Sequence, residues 1–313
     1  MPLAFVFPGQ GSQYVGMGKD IADNFLVAQQ IFAQADEVLG FSLSELCFIG
    51  PEEELNETAN TQPALLTTSI ACLEVLKEGG VRAELVAGHS LGEYSALVAA
   101  GVLDLPSALK LVRLRGQFMQ EAVPADKGAM AAILGLERPQ VEDICRKSSS
   151  EGIVSPAAFN CPGQIVIAGE VKAIEKAVAL ALEAGARRAV KLAVSVPSHS
   201  PLMQPAVERF KKEMDRIDFS EPQIPVVANS SASPLTSSAE IKDALSKQLI
   251  SPLLWEDSVI EMMKEVEIFI EVGPSKVLSG LIKRIDRGVN ILNVEDKRSL
   301  EKTLYSLENP KRK

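Results

Sequence analysis

A serine framed by glycines is the first feature of this sequence that suggests chemistry. Residues Gly88-His89-Ser90-Leu91-Gly92 form a G-x-S-x-G pattern that follows a predicted strand and opens a predicted helix. At such a turn the serine hydroxyl is lifted out of the sheet, and the helix N-terminus behind it offers amide donors to a developing oxyanion. The pattern therefore predicts that Ser90 is the nucleophile of an acyl-transfer reaction.

A serine hydroxyl needs a base, and the chain contains two histidines, His89 and His199. Histidine titrates near neutral pH and can pass a proton in both directions. His89 precedes Ser90 directly, so its side chain should diverge from the hydroxyl. That leaves it either a role in orienting bound acyl groups or one in packing and hydrogen bonding. By elimination, we expect His199 to be the base.

A glycine-rich segment, Phe7–Gln13, follows the first predicted strand. It fails the dinucleotide-binding pattern because Tyr14 replaces the last glycine, and it fails the P-loop pattern because Met17 and Gly18 replace Lys and Ser/Thr. Sites of α/β proteins form at the carboxyl ends of strands. The segment is therefore either a second loop of oxyanion donors or a plain turn.

The alternation of apolar strands with helices predicts an α/β fold with a mostly parallel sheet. We expect a large, hydrolase-like lobe made of residues 1–127 and 198–313. Its expected elements include strands at 3–7, 85–88, 224–229 and 267–272 and one helix over 21–39.

Between these two stretches the pattern changes, and residues 128–197 predict a small inserted lobe. Strands are expected at 129–136, 154–160, 164–168 and 188–194, with helices at 139–148 and 171–184. This βαββαβ order is the split motif of ferredoxin-like domains.

Composition excludes several function classes. The net charge is −9 at pH 7 and the pI is about 5.0, so the bulk chain attracts neither nucleic acid nor an anionic membrane. The four cysteines, none at C-x-x-C spacing, predict buried thiols of a reducing compartment rather than a metal or redox centre. The start of the chain lacks a signal-peptide pattern, and no apolar run reaches the length of a membrane span. We expect a cytoplasmic protein without metal, cofactor, nucleic-acid or membrane partner.

Five separated segments match one protein family in order. They are Phe7–Gln13, Gly88–Glu93, Arg115, Val196–His199 and Glu271–Pro274. Together they resemble the malonyl-CoA:acyl-carrier-protein transacylase family, from residue 3 to about 295. The resemblance implies a ping-pong reaction that supplies fatty acid biosynthesis. Malonyl-CoA acylates the serine of the second segment, CoA leaves, and the phosphopantetheine thiol of acyl carrier protein takes the malonyl group.

The same resemblance implies roles for individual residues. Gln10 and the backbone amide of Leu91 would form the oxyanion hole. The backbone carbonyl of Gln248, rather than an acidic residue, would orient His199. Substrate-binding residues are implied at His89, Arg115, Met119 and Asn160.

Arg115 lies on a predicted helix, residues 107–121, beside an apolar stripe that includes Val112 and Met119. An inward-pointing arginine is costly without an anion. Two anions would fit: a carboxylate of the protein in a structural ion pair, or the malonyl carboxylate, which offers a planar partner for a bidentate contact. The resemblance implies the malonyl carboxylate.

Two basic pairs, Arg187-Arg188 and Lys283-Arg284, are candidates for a patch that docks an acyl carrier protein. Acyl carrier proteins are acidic, as this chain is, so docking would need a local positive surface. The alternative is scattered, solvated charge.

Three other functions compete with malonyl transfer. A serine esterase or thioesterase of the α/β class places its histidine near the C-terminus, yet over a hundred residues follow His199. A polyketide acyltransferase would take another acyl-CoA, although Val196–His199 resembles the free-standing fatty-acid version. A carrier-binding module with a relic site is disfavoured by the intact Ser90 and His199.

Overall fold

Two β-sheets form the framework of the computed structural model, which describes residues 1–124, 126–194 and 196–309. The last residues of the expected large lobe, 310–313, lie outside this range. The strands are β1 (Leu3–Phe7), β2 (Leu85–Gly88), β3 (Gly128–Leu134), β4 (Val154–Cys161), β5 (Gln164–Glu170), β6 (Arg188–Lys191), β7 (Val226–Val227), β8 (Pro234–Leu235), β9 (Ile268–Val272) and β10 (Asn290–Val294).

Helices cover both sheets. They are α1 (Lys19–Asn24), α2 (Leu26–Leu39), α3 (Leu43–Phe48), α4 (Glu52–Asn56), α5 (Thr58–Glu78), α6 (Gly92–Ala99), α7 (Leu105–Ala122), α8 (Arg138–Ser148), α9 (Val171–Glu183), α10 (Gln204–Met214), α11 (Ser238–Gln248), α12 (Trp255–Met262), α13 (Val277–Ile285) and α14 (Lys297–Glu308).

The single helix expected over 21–39 is wrong, because the chain breaks at Phe25 into α1 and α2. Phe25 is extended, with φ −134° and ψ 121°. The side-chain amide of Asn24 donates to the Asp20 carbonyl at 2.8 Å. Side chains that bond nearby backbone groups compete with helical hydrogen bonds, so the helix ends there.

The larger sheet has the strand order β10-β9-β1-β2-β7-β8. The first five strands are parallel, and β8 runs antiparallel to β7. Every residue of β1, β2 and β9 is buried, as expected for parallel strands covered on both faces. Their carboxyl ends meet at one edge, where Phe7 pairs in register with Gly88.

Alternate residues of β1 enter two separate cores, one on each face of this sheet. Phe5 and Phe7 pack into the core that contains the buried faces of α2, α5 and α7. Ala4 and Val6 pack into a second core with Trp255 and α13. Because both faces are filled, the strand ends cannot shift without disturbing packing on both sides.

The smaller sheet is antiparallel, in the order β4-β5-β3-β6. Helices α8 and α9 pack on one face of it, where Ala129, Ala131 and Ile133 of β3 are buried. Met130 alternates to the opposite face and lines a cleft between the two sheets. The predicted α/β fold class, a mostly parallel sheet with a ferredoxin-like βαββαβ unit, is confirmed. Strand β6 ends at Lys191 and strand β7 covers Val226–Val227, so both are several residues shorter than expected.

Strand β4 links the smaller sheet to the rest of the chain. The Leu253 amide donates to the Ala157 carbonyl at 2.9 Å, and the Phe159 amide donates to the Leu253 carbonyl at 2.9 Å. Arg138 of α8 also pairs with Asp257 of α12 at 2.7 Å. These contacts fix the smaller sheet, on one side of the cleft, relative to the segment from Leu253 to α12.

Gly88 and Gly92 allow β2 and α6 to approach each other at the serine turn. A Cβ at Gly88 would lie 1.9 Å from the backbone carbonyl carbon of Gly92. We predict that Gly88→Ala lowers the free energy of unfolding by more than about 2 kcal/mol, because backbone atoms must move apart. Urea unfolding followed by circular dichroism measures the change.

Gly280→Ala is the matched control for this prediction. Gly280 lies inside α13, where a Cβ would meet no atom within 4 Å. Alanine there should leave stability unchanged or raise it by about 0.5–1 kcal/mol, the difference in helix propensity. Equal unfolding curves for the two variants would contradict the close approach at the turn.

Candidate active site

Ser90 lies at the turn between β2 and α6 with a positive φ of 52°. A left-handed backbone costs about 1–2 kcal/mol for a residue with a Cβ, so other contacts must hold it. Asn229 supplies them. Its Oδ1 accepts from the Ser90 amide at 2.7 Å, and its Nδ2 donates to the Gly88 carbonyl at 2.6 Å. Asn229 follows β7, so the neighbouring strand fixes the conformation of the turn.

The Ser90 hydroxyl and the His199 imidazole are in hydrogen-bond contact, with Oγ 2.8 Å from Nε2. On the other side of the ring, Nδ1 lies 2.7 Å from the backbone carbonyl oxygen of Gln248. A carbonyl oxygen only accepts, so Nδ1 carries the proton and Nε2 can accept the proton of the serine. His199 also has a positive φ, 60°.

Burial favours the neutral form of both imidazoles. It lowers the pKa of His199 to about 3, with the positive charge of Arg115 acting in the same direction and the bond to Gln248 opposing them. Burial also lowers the pKa of His89. Within the described ranges, no carboxylate contacts His199 to stabilise its charged form.

Arg115 of α7 is 1% exposed, and its guanidinium reaches the Ser90 side chain. Its Nη1 donates to Gln62 Oε1 at 2.9 Å. Its Nη2 donates to Gln248 Oε1 at 2.9 Å and to Ser90 Oγ at 3.3 Å. The guanidinium carbon lies 5.3 Å from the centre of the Tyr94 ring. All these partners are neutral, and among the residues that the structure describes Arg115 forms no ion pair. Burial lowers its pKa.

The buried carboxylate of Glu93 is linked to Arg115 and Ser90 through the side chain of Gln248. The side chain of Gln248 donates from Nε2 to the Ser90 carbonyl at 3.0 Å and to Glu93 Oε2 at 2.8 Å. Burial raises the pKa of Glu93 to about 7, while hydrogen bonds from Gln248 and Asn229 and the charge of Arg115 oppose that rise. Gln248 therefore contacts His199, Ser90 and Arg115.

Sequence reasoning does not identify Gln62, Glu93 and Asn229 as site residues. Glu93 ends the serine motif one helical turn after Ser90, so its position was a usable signal. Asn229 is the last residue of a predicted strand, at the edge where α/β sites form. Nothing in the local sequence marks Gln62, which lies inside the long helix α5.

A cleft of about 480 Å³ opens beside Ser90 between the two sheets. Met130 and Val166 of the smaller sheet line one side of it. Most of the expected site residues line it too: Gln10, His89, Ser90, Arg115, Met119, Asn160 and His199. The two remaining ones, Leu91 and Gln248, are buried beside it.

Two expected residues point in directions that restrict what they can do. The Nε2 of His89 lies 2.8 Å from Asn160 Oδ1, and its ring packs edge-on against Trp255. The ring is thus engaged away from the serine hydroxyl. The side chain of Gln10 donates to Thr58 Oγ1 at 3.2 Å. The backbone amides of Gln10 and Leu91 have no acceptor in the described part of the chain.

The two basic pairs lie at the same end of the smaller sheet. Arg187 and Arg188 are exposed, and Arg188 pairs in register with Leu134, which pairs with Gln164 on the next strand. Arg284 of α13 donates to the Gln164 side chain. The preceding lysine is also exposed. Arg284 therefore reaches the same end of the smaller sheet as Arg188.

A serine and an imidazole that meet at the carboxyl edge of a parallel sheet, beside amides free to bind an oxyanion, define an α/β acyl-transfer enzyme. The family model described as acyl transferase domain matches residues 4–300. The chain is 50% identical over 308 residues to malonyl CoA-acyl carrier protein transacylase of Bacillus subtilis (strain 168), which covers 98% of this chain and 97% of that protein. The Escherichia coli (strain K12) protein of that name is 51% identical over 285 residues, or 90% of this chain and 92% of its own. This chain is an acyltransferase and belongs to the malonyl-CoA:acyl-carrier-protein transacylase family.

Solved structures agree with this placement. An acyl carrier protein S-malonyltransferase from Vibrio cholerae is 50% identical, with a TM-score of 0.95 over 97% of this chain and 100% of that one. A chain from the complex PlMCAT:AntF, which is a type II PKS acyl-carrier protein with its malonyl-transacylase, is 47% identical to this chain. The TM-score is 0.96 over 98% of this chain and 100% of that one.

Within the described ranges, every helix is too short or too polar to span a lipid bilayer. No group of three or more His, Cys, Asp or Glu side chains is arranged to hold a metal ion in residues 1–124, 126–194 and 196–309.

The neutral state of both histidines can be tested directly. With ring-labelled histidine, we predict that the His199 imidazole of the folded protein does not titrate between about pH 8 and pH 5.5, and that the His89 midpoint lies below its value in the unfolded chain. Burial depresses both pKa values below the ordinary value of about 6.5. The same protein unfolded in urea is the control, and its two rings should titrate together near that value. A folded-state midpoint near 6.5 would contradict the described environment.

Proposed function

We propose that this chain transfers a malonyl group from malonyl-CoA to the phosphopantetheine thiol of acyl carrier protein through an ester on Ser90. The observation that carries the proposal is Arg115, a buried cation with neutral partners whose Nη2 lies 3.3 Å from Ser90 Oγ. In malonyl-CoA the carboxylate carbon is two carbons from the thioester carbonyl carbon. The carboxylate could therefore bind this guanidinium while the thioester carbonyl lies next to the Ser90 hydroxyl. The names of the relatives support the same substrate and carrier.

The first half-reaction forms the acyl-enzyme. His199 Nε2 takes the hydroxyl proton as Ser90 Oγ attacks the thioester carbonyl of malonyl-CoA. Negative charge develops on the carbonyl oxygen, where the backbone amides of Gln10 and Leu91 would donate. The tetrahedral intermediate collapses with cleavage of the carbon–sulfur bond, and the CoA sulfur leaves with the proton from His199.

The second half-reaction repeats these steps with another thiol. His199 accepts the proton of the pantetheine thiol, whose sulfur attacks the Ser90 ester. The carbon–oxygen bond breaks, and Ser90 regains a proton from His199. Because Arg115 contributes to the low pKa of His199, a malonyl carboxylate that neutralises Arg115 would make the base stronger.

Three further assignments are part of this proposal. His89, Met119 and Asn160 bind the acyl group within the cleft. Residues 1–127 and 198–313 act as the catalytic lobe, with 128–197 as the inserted lobe that closes the cleft. The transferred malonyl group would supply fatty acid biosynthesis. The cytoplasmic location stays a prediction.

Intact-mass analysis after mixing with malonyl-CoA tests the reaction. The wild type should gain one malonyl mass and release CoA, and Ser90→Ala should not, because loss of a nucleophile costs about 10⁴–10⁶ in rate. His199→Ala should slow both half-reactions, whereas His89→Ala should be milder. Release of CoA to water without a lasting adduct would indicate an esterase, and malonyl uptake by Ser90→Ala would contradict the mechanism.

Arg115 should decide which acyl group is accepted. A charge-assisted bidentate contact contributes about 1.5–3 kcal/mol, so Arg115→Ala should lower kcat/KM for malonyl-CoA at least about tenfold. Acetyl-CoA has no carboxylate and should lose nothing. Arg115→Lys should resemble Arg115→Ala, because an ammonium cannot make the planar contact.

Arg113→Ala is the matched control on the same helix. Arg113 donates to Asn60 and packs on Phe41, and it does not line the cleft. It should leave the malonyl-to-acetyl ratio unchanged. If the ratio also stays constant in Arg115→Ala while stability falls, Arg115 is structural and the choice of malonyl loses its support.

Docking of the carrier protein should depend on the basic surface at the end of the smaller sheet. Arg187→Glu combined with Arg188→Glu should raise KM for the carrier but not for malonyl-CoA, and the effect should shrink at high salt. Lys211→Glu with Lys212→Glu, an exposed pair on α10, is the control and should change neither. Equal effects on both substrates would count against docking at this surface.

A further inference from the structure

The buried carboxylate of Glu93 has no part in the steps above. Glu93 is 1% exposed and lies one helical turn after Ser90 in α6. Its Oε2 accepts from Gln248 Nε2 at 2.8 Å and from the Asn229 amide at 3.2 Å. Burying a carboxylate costs several kcal/mol, which its hydrogen bonds and nearby charges must offset. The partners of Glu93 therefore indicate which part of the site it acts on.

The hydrogen bonds around Gln248 have a fixed direction. An ionised carboxylate only accepts, so Glu93 must face the NH₂ end of the Gln248 amide. That same NH₂ group donates to the Ser90 carbonyl at 3.0 Å. The carbonyl end, Oε1, then faces Arg115 and accepts from Nη2 at 2.9 Å. With the amide reversed, NH₂ would face the guanidinium and the oxygen would face the carboxylate, so all three contacts would become repulsive.

Arg115 depends on this arrangement for its aim. Gln62 Oε1 holds Nη1 and Gln248 Oε1 holds Nη2, each at 2.9 Å. Both anchors are neutral amide oxygens, so neither one uses up the positive charge. Glu93 lies one amide group further away, where its charge attracts the guanidinium without direct contact. The cation thus stays free for an anion that enters the cleft.

We propose that Glu93 is a positioning residue for acyl-group selection: through the Gln248 amide it aims the Arg115 guanidinium at the carboxylate of dicarboxylic acyl groups. This inference rests on the proposed function, because it presumes that Arg115 recognises malonyl. It assigns Glu93 to selectivity and not to the reactivity of Ser90. Burial raises the pKa of Glu93, whereas the hydrogen bonds from Gln248 and Asn229 and the charge of Arg115 favour its ionised form.

The test compares acylation of Glu93→Gln by malonyl-CoA and acetyl-CoA. Glutamine has nearly the same shape but no charge, so it holds the Gln248 NH₂ group more weakly and no longer attracts the guanidinium, while the bond from Gln248 to the Ser90 carbonyl can remain. We expect kcat/KM for malonyl-CoA to fall about tenfold, equivalent to about 1.4 kcal/mol, and kcat/KM for acetyl-CoA to change less than about twofold. Labelling of Ser90 by a fluorophosphonate, which carries no carboxylate, should keep the wild-type rate.

A double-mutant cycle with Arg115→Ala separates this inference from a general structural effect. If Glu93 acts through Arg115, Glu93→Gln should not change the malonyl-to-acetyl ratio any further in the Arg115→Ala background. Glu93→Asp keeps the charge but cannot reach Gln248, so it should lose selectivity as Glu93→Gln does. Asp36→Asn removes a carboxylate that bonds Ser44 away from the cleft, and it should leave the ratio unchanged.

The outcomes distinguish the inference from the function on which it rests. Equal loss of malonyl transfer, acetyl transfer and fluorophosphonate labelling in Glu93→Gln would make Glu93 a support of the serine turn and overturn the inference. A wild-type malonyl-to-acetyl ratio in Glu93→Asp would show that Glu93 does not act through the Gln248 amide. A wild type without malonyl preference would overturn the proposed function itself, whereas loss of preference in Arg115→Ala but not in Glu93→Gln would overturn only the inference.

Discussion

The hydrogen bond between Ser90 and His199 joins residues that are 109 positions apart in the chain. Both have left-handed backbones, so neither conformation would persist without outside support. Asn229 holds the serine turn from the neighbouring strand, and the Gln248 carbonyl holds the imidazole from the end of α11. The parallel sheet, with cores on both of its faces, is what keeps these supports in register. Strain at the two reacting residues is thus offset by packing elsewhere.

Gln248 links reactivity to selectivity. Its backbone orients the base, and its side chain contacts the serine backbone, Glu93 and Arg115. A displacement of α11 would therefore disturb Ser90, His199 and Arg115 together. This arrangement makes a half-assembled site unfavourable, because each buried polar group would lose its partner along with the others.

The sequence predicts the site and its sheets well where a residue's role depends on near neighbours. The two flanking glycines identify Ser90. His199 is identified by elimination, because the chain has only one other histidine. Arg115 is marked by an apolar stripe that the structure buries. The break at Phe25 escapes prediction because it depends on a side chain competing for a backbone carbonyl. Roles that depend on distant partners escape as well: Gln62 and Asn229 meet the site only after the chain has folded, and Gln248 is found through family resemblance alone.

The carbonyl that orients His199 stands where a hydrolase would have a carboxylate, and this bears on the lifetime of the ester. A carboxylate would stabilise the imidazolium and strengthen the base, whereas a neutral oxygen in a buried site leaves it weak. A weak base discriminates sharply by the acidity of its proton donor. Alkyl thiols such as that of cysteine ionise near pH 8.5, and bulk water has a pKa of about 15.7. A thiol that enters the cleft is therefore activated far more readily than a water molecule, so the proposed Ser90 ester would react with a carrier thiol before it is lost to hydrolysis.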